Sequence, residues 1–120
     1  MNMWEIAAQA AQSKQAEDIV ALDISEVSSF ADTFVLCSGS NSRQNQAIGD
    51  AIRRQLKAAG LRPLGVEGFR NAVWILLDYG DFVIHVQARE TRLLYDLERL
   101  WKMRHEFPSL RRHKNHLTVR

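Results

Sequence analysis

One α/β domain, a mixed β-sheet flanked by helices, is the fold class this sequence predicts, and three observations carry the prediction. Residues Val73 to Tyr79 and Phe82 to Gln87 are β-branched and aromatic-rich runs on either side of Gly80-Asp81, the composition of a tight hairpin. Ile48, Ile52, Leu56 and Ala59 recur at helical spacing between about Arg43 and Ala59, with Gly60 placed to stop the helix. A chain of 120 residues, 46% hydrophobic and 25% charged, holds one core and not two.

Taken in order, Met3 to Lys14 sets Ile6, Ala7, Ala10 and Ala11 on one side of an alanine-rich first helix. Ile19 to Ile24 follows as a largely buried strand, and Ser25 to Ser29 as a turn or short helical connection. Phe34 to Cys37 forms the next strand, ended by Ser38-Gly39-Ser40-Asn41-Ser42, whose Asn41 and Ser42 are N-cap candidates for the second helix. Pro63 marks Leu61 to Leu64 as edge-like, and Gly65 to Asn71 reads as a loop before the hairpin. Thr91 to Met103 predicts a last helix with Leu93, Leu94, Leu97, Leu100 and Trp101 on its core side, and Pro108 ends the ordered pattern. Residues 1–107 make the domain and 108–120 a basic tail.

The hairpin register separates two faces. With Gly80-Asp81 as the loop, Tyr79 faces Phe82, Leu77 faces Ile84 and Ile75 faces Val86, an apolar set that belongs to the core. The opposite face carries Trp74 beside Gln87, Leu76 beside His85 and Asp78 beside Val83. Aromatic, aliphatic and charged groups mixed in this way suit either a wet sheet face or a contact surface; an exposed Trp among them is a hot-spot composition, and the competing reading buries Trp74 under the first helix or the tail.

Composition excludes several classes. Cys37 is the single cysteine, so neither an internal disulfide nor a cysteine-based zinc site is available. No apolar run reaches transmembrane length and no secretory leader pattern opens the chain, which predicts a cytoplasmic protein without a membrane partner. Ten Lys/Arg stand against thirteen Asp/Glu from Met1 to Trp101, and six against one from Lys102 to Arg120. Arg111, Arg112 and Lys114 thus give the tail the charge to touch RNA phosphates or an acidic surface, or simply make it a solvated terminus.

One enzymatic reading competes. Val35-Leu36-Cys37-Ser38-Gly39-Ser40 runs from strand through Gly-Ser into a helix, the arrangement with which nucleotidyltransferases hold nucleotide phosphates. That chemistry also needs two or three carboxylates on a following strand to hold divalent metal. Only Asp78 and Asp81 follow, one on the strand and one in the turn, so no catalytic residue, metal ligand or cofactor site is assigned. Cys37 reads as a small buried strand residue, and His85, His105, His113 and His116 have no metal-site spacing.

Ser28-Ser29-Phe30-Ala31-Asp32, Ser38-Gly39, Ser42-Arg43-Gln44, Arg62-Pro63-Leu64-Gly65, Trp74 through Asp81, His85-Val86 and Tyr95 through Trp101 together resemble the ribosomal silencing factor (RsfS, Iojap) family over roughly Ala16 to Lys102. The resemblance implies a nucleotidyltransferase-like fold without the catalytic carboxylates, no enzyme activity and no cofactor. It implies translational repression: the protein binds the large ribosomal subunit through ribosomal protein fourteen and so blocks joining of the small subunit. It is also compatible with a homodimer. The expected partner-binding set is Trp74 and Leu76 as apolar anchors, Asp78, Asp81 and Glu98 as charges, with Tyr79 and His85 beside them. Gln87 departs from the aromatic usual after His-Val, and Leu94 from the usual Phe before Tyr95, where a repacked core is expected.

Overall fold

The computed structural model describes residues 2–97, 99, 110–112 and 117–119, the last two stretches as strand backbone. Helix α1 (Met3–Ser13) is followed by strands β1 (Glu17–Asp23) and β2 (Thr33–Ser38), then α2 (Ser42–Ala58) and strands β3 (Gly65–Glu67), β4 (Trp74–Asp78) and β5 (Phe82–Gln87). Helix α3 (Arg89–Tyr95) and two short strands, β6 (Leu110–Arg112) and β7 (Leu117–Val119), complete the order. The sheet runs β3-β4-β5-β2-β1-β7-β6 and is mixed, with β2 and β5 parallel at its centre and β1 parallel to β7. Among the described residues no helix is long and apolar enough to cross a membrane.

Local chemistry explains the helices. The Asn41 side chain accepts the backbone N–H of Gln44 at 2.8 Å, which caps α2, and Gly60 stands just past its end at φ 92°, in the left-handed region a glycine adopts at no steric cost. Ile48, Ile52 and Leu56 are fully buried along one side of α2, while Ala7, Ala8, Ala10 and Ala11 let α1 approach closely. Asn41→Ala is expected to cost about 1 kcal/mol of stability, because a helix N–H loses its partner. Urea unfolding of the variant beside the parent checks this.

The hairpin register is the expected one. Ile75 pairs with Val86, Leu77 with Ile84 and Asp78 with Val83, and the Tyr79 and Phe82 rings stack at 5.1 Å across the turn. Ile75, Leu77, Ile84 and Val86 are fully buried beneath α1 and α2. The 65–71 loop is shorter than expected, because Gly65–Glu67 pairs antiparallel with β4 as an edge strand. Gly68 then turns the chain at φ 75°, where a Cβ would lie 2.0 Å from the Trp74 carbonyl oxygen.

Three expectations need correction. The opposite sheet face is not open: Val20, Leu22, Phe34, Leu36 and Val83 form a second core there with Ile24, Ala31, Val27 and Leu97, so the connection after β1 acts as a lid. The last helix is interrupted: Asp96 adopts φ 45° and ends α3 after Tyr95, and Leu97 and Arg99 are again helical beyond it. Leu93 and Leu94 are therefore 81% and 78% exposed, and the buried residue of α3 is Arg92; Leu94 repacks no core. Leu100 and Trp101 lie outside the described residues. Finally, strands follow Pro108. The β-branched and apolar residues of Leu117-Thr118-Val119 run alongside β1 at what would otherwise be a sheet edge.

Candidate partner-binding face

Strand β4 alternates, so Trp74, Leu76 and Asp78 share the face opposite Ile75 and Leu77, and all three are half-buried. The end of α3 brings a further aromatic to this face. The Tyr95 ring lies 4.8 Å from that of Trp74, and Tyr95 is 55% exposed. Leu93 and Leu94 are exposed on α3, and Val73 is exposed just before β4. Tyr95 lies against Trp74 on this face and has no counterpart among the contact residues expected from the sequence. The signal for it was Asp96, a residue that tolerates the left-handed conformation and so marks a helix end.

The remaining expected residues divide. Asp81 is exposed in the hairpin turn, and the Asp78 carboxylate accepts the Gly80 N–H at 2.8 Å, which fixes the turn's shape. Tyr79 is buried on the other side of the sheet against α1 and α2, and burial raises its pKa. Tyr79 therefore does not lie on the Trp74 face. His85 is 4% exposed and lies beneath Trp74, so it supports the face from behind. Gln87 is likewise buried on β5, and its position beside Trp74 does not place it at the surface. Glu98 lies outside the described residues.

The Trp74–His85 pair has a definite chemistry. The indole Nε1–H donates to His85 Nδ1 at 3.0 Å, which puts the imidazole proton on Nε2, and the Phe34 ring meets the imidazole edge at 4.5 Å. Desolvation by burial holds the His85 pKa down at about 4. The unfolded chain therefore binds more protons here than the folded one between about pH 4 and 6.5. Stability is present in full above pH 6.5 and declines as pH falls toward 4, by about 2 kcal/mol at pH 5. A His85→Gln variant should lack this part of the acid slope, as thermal melts of both proteins between pH 7 and 5 would register.

The Gly-Ser turn is closed by its own helix. Gly39 N–H donates to Asn45 Oδ1 at 2.8 Å and Ser40 N–H to Gln44 Oε1 at 2.6 Å, so the amides that would cradle a phosphate already have partners. Asn45 Nδ2–H in turn donates to the Ala72 carbonyl at 2.8 Å, tying α2 to the strand β4 approach. Cys37, fully buried beside this turn, has its thiol pKa pushed up to about 12 by desolvation, which leaves it protonated and inert.

Comparison with known proteins agrees with this architecture. Residues 1–118 match the family described as "Ribosomal silencing factor during starvation". The ribosomal silencing factor RsfS of Bacillus subtilis is 44% identical over 100 residues, 83% of this chain and 85% of that protein. The RsfS of Halalkalibacterium halodurans is 37% identical over 100 residues, 83% of this chain and 86% of that one. A crystal structure of a Chromobacterium violaceum protein superposes with a TM-score of 0.80 at 34% identity, covering 92% of both chains. Fold, length and sequence coincide over nearly the whole chain, which belongs to the ribosomal silencing factor family.

Proposed function

We propose that this protein is a non-enzymatic, cytoplasmic repressor that binds ribosomal protein fourteen of the large subunit through the Trp74 face, and that the bound domain occupies space the small subunit needs. The observation that carries the reading is the half-exposed Trp74–Tyr95 aromatic contact, with Leu76 on the same strand face and Asp78 and Asp81 on the same hairpin. Apolar anchors with acidic groups nearby suit a partner surface that is apolar at its centre and basic around it. The closed Gly39-Ser40 turn supports the absence of nucleotide chemistry in this reading, since binding phosphate there would require breaking the turn's own hydrogen bonds.

Sedimentation of the protein with purified large subunits, followed by light scattering as small subunits are added, tests the mechanism. Cosedimentation with slowed joining is expected. Normal joining, or magnesium-dependent turnover of a nucleoside triphosphate that a Ser40→Ala variant has lost, would overturn it. Asp81→Lys should reduce the association rate with ribosomal protein fourteen more than Asp81→Ala does, through repulsion from a basic partner, and stopped-flow binding at low and high salt measures that difference. Beyond Pro108, the tail's cations add long-range attraction that salt screens.

A further inference from the structure

On the helix-covered side of the same sheet edge, the end of α2 and the segment leading into β3 enclose an open groove, lined by Arg53, Arg54, Lys57 and Arg62 with Asp50 and Leu64. Four cations meet one carboxylate there, although the chain from Met1 to Trp101 carries more acid than base. All four cationic side chains are exposed, and the Arg89–Glu17 ion pair lies elsewhere on the molecule. The charge is not a helix-terminus effect. Arg53, Arg54 and Lys57 sit in the last turns of α2, where backbone carbonyls favour cations and repel anions, and Arg62 follows the helix, so the side chains alone make the groove positive.

The geometry points to a phosphodiester backbone as the occupant: we propose that this groove holds a segment of ribosomal RNA while the Trp74 face holds the protein partner. Arginine guanidinium groups present paired donors that match phosphate oxygens, and three of the four cations are arginine. Arg53 is steadied over the Phe69 ring at 5.7 Å, which lowers the ordering cost of using it. Leu64, 77% exposed on the groove wall, offers apolar surface to a ribose or base beside the phosphates. Ile75 and Leu77 face α2 whereas Trp74 and Leu76 face the other way, so the two surfaces lie on opposite sides of one strand and do not compete. The proposal rests on the reading that the protein acts on the ribosome, and it places the RNA contact on the folded domain and not on Arg111, Arg112 and Lys114.

The test uses the full chain and a fluorescein-labelled single-stranded RNA 12-mer, followed by anisotropy between 50 and 200 mM salt. The parent is expected to bind with an affinity that falls as salt rises. Arg54→Glu/Lys57→Glu/Arg62→Glu should lower affinity at 50 mM salt at least tenfold and reduce the slope of log affinity against log salt by about 2, since each single-strand phosphate contact contributes about 0.7. All three positions are exposed, and an unchanged thermal melt confirms folding. The same variant should bind isolated ribosomal protein fourteen within twofold of the parent, and Trp74→Ala should show the reverse pattern. Failure of the protein partner reading therefore appears in the second assay and failure of the groove in the first. The groove proposal is overturned if the parent does not bind the RNA at 50 mM salt, if Arg111→Gln/Arg112→Gln/Lys114→Gln removes binding while the groove variant keeps it, or if polyglutamate competes as well as unlabelled RNA at equal charge.

Discussion

Leu77→Ala is expected to lower the unfolding free energy by about 2–5 kcal/mol, the largest single effect on stability among the substitutions considered. Leu77 is fully buried on β4, paired with Ile84 on one side and Val66 on the other, and it packs in the core that α1 and α2 cover. Truncation removes apolar contacts there and leaves a cavity that strands held on both flanks cannot collapse to fill. Urea unfolding should show a lower midpoint with an unchanged slope. Leu76→Ala, one residue away on the half-buried face, should cost distinctly less; equal losses at the two positions would mean that the two faces of β4 are not distinguished by burial as described.

What the sequence conveyed and what it did not divide along a physical line. The hairpin and α2 were legible because each is specified locally: strand alternation on both sides of Gly80-Asp81, and an asparagine cap, a four-residue apolar spacing and a glycine stop around α2. The fate of the second sheet face was not, because it depends on Ile24, Val27 and Ala31 folding back over Phe34 and Val83, and those contacts join segments whose local pattern reads as turn. α3 misled for a related reason. Leu93, Leu94 and Leu97 fit a helical stripe, yet Asp96 breaks the helix, so Leu97 joins the second core while Leu93 and Leu94 stay in solvent. Periodicity cannot reveal a break that depends on one backbone conformation. For the site, alternation correctly put Trp74, Leu76 and Asp78 on one face of β4, but it could not reveal that His85 is sealed beneath Trp74 or that Tyr95 arrives beside it from another element.

Those two facts shape the second large effect. Trp74→Ala should weaken binding to isolated ribosomal protein fourteen by about 2 kcal/mol or more, thirtyfold or so in affinity, as truncation of an aromatic anchor does. It should also reduce stability, because His85 Nδ1 loses the indole donor at 3.0 Å while remaining buried. Affinity alone would therefore not separate a contact role from a supporting one. Tyr95→Ala makes the separation: its ring is more than half exposed and touches Trp74 from outside, so its removal should lower affinity at least fivefold with a melting temperature close to the parent's. Phe at position 95 should restore most of the affinity through the ring contact. If Tyr95→Ala and Trp74→Ala both remain folded and both bind normally, ribosomal protein fourteen docks elsewhere; if only Trp74→Ala binds poorly and its melting temperature has collapsed, Trp74 serves the fold and the exposed α3 end is not part of the contact.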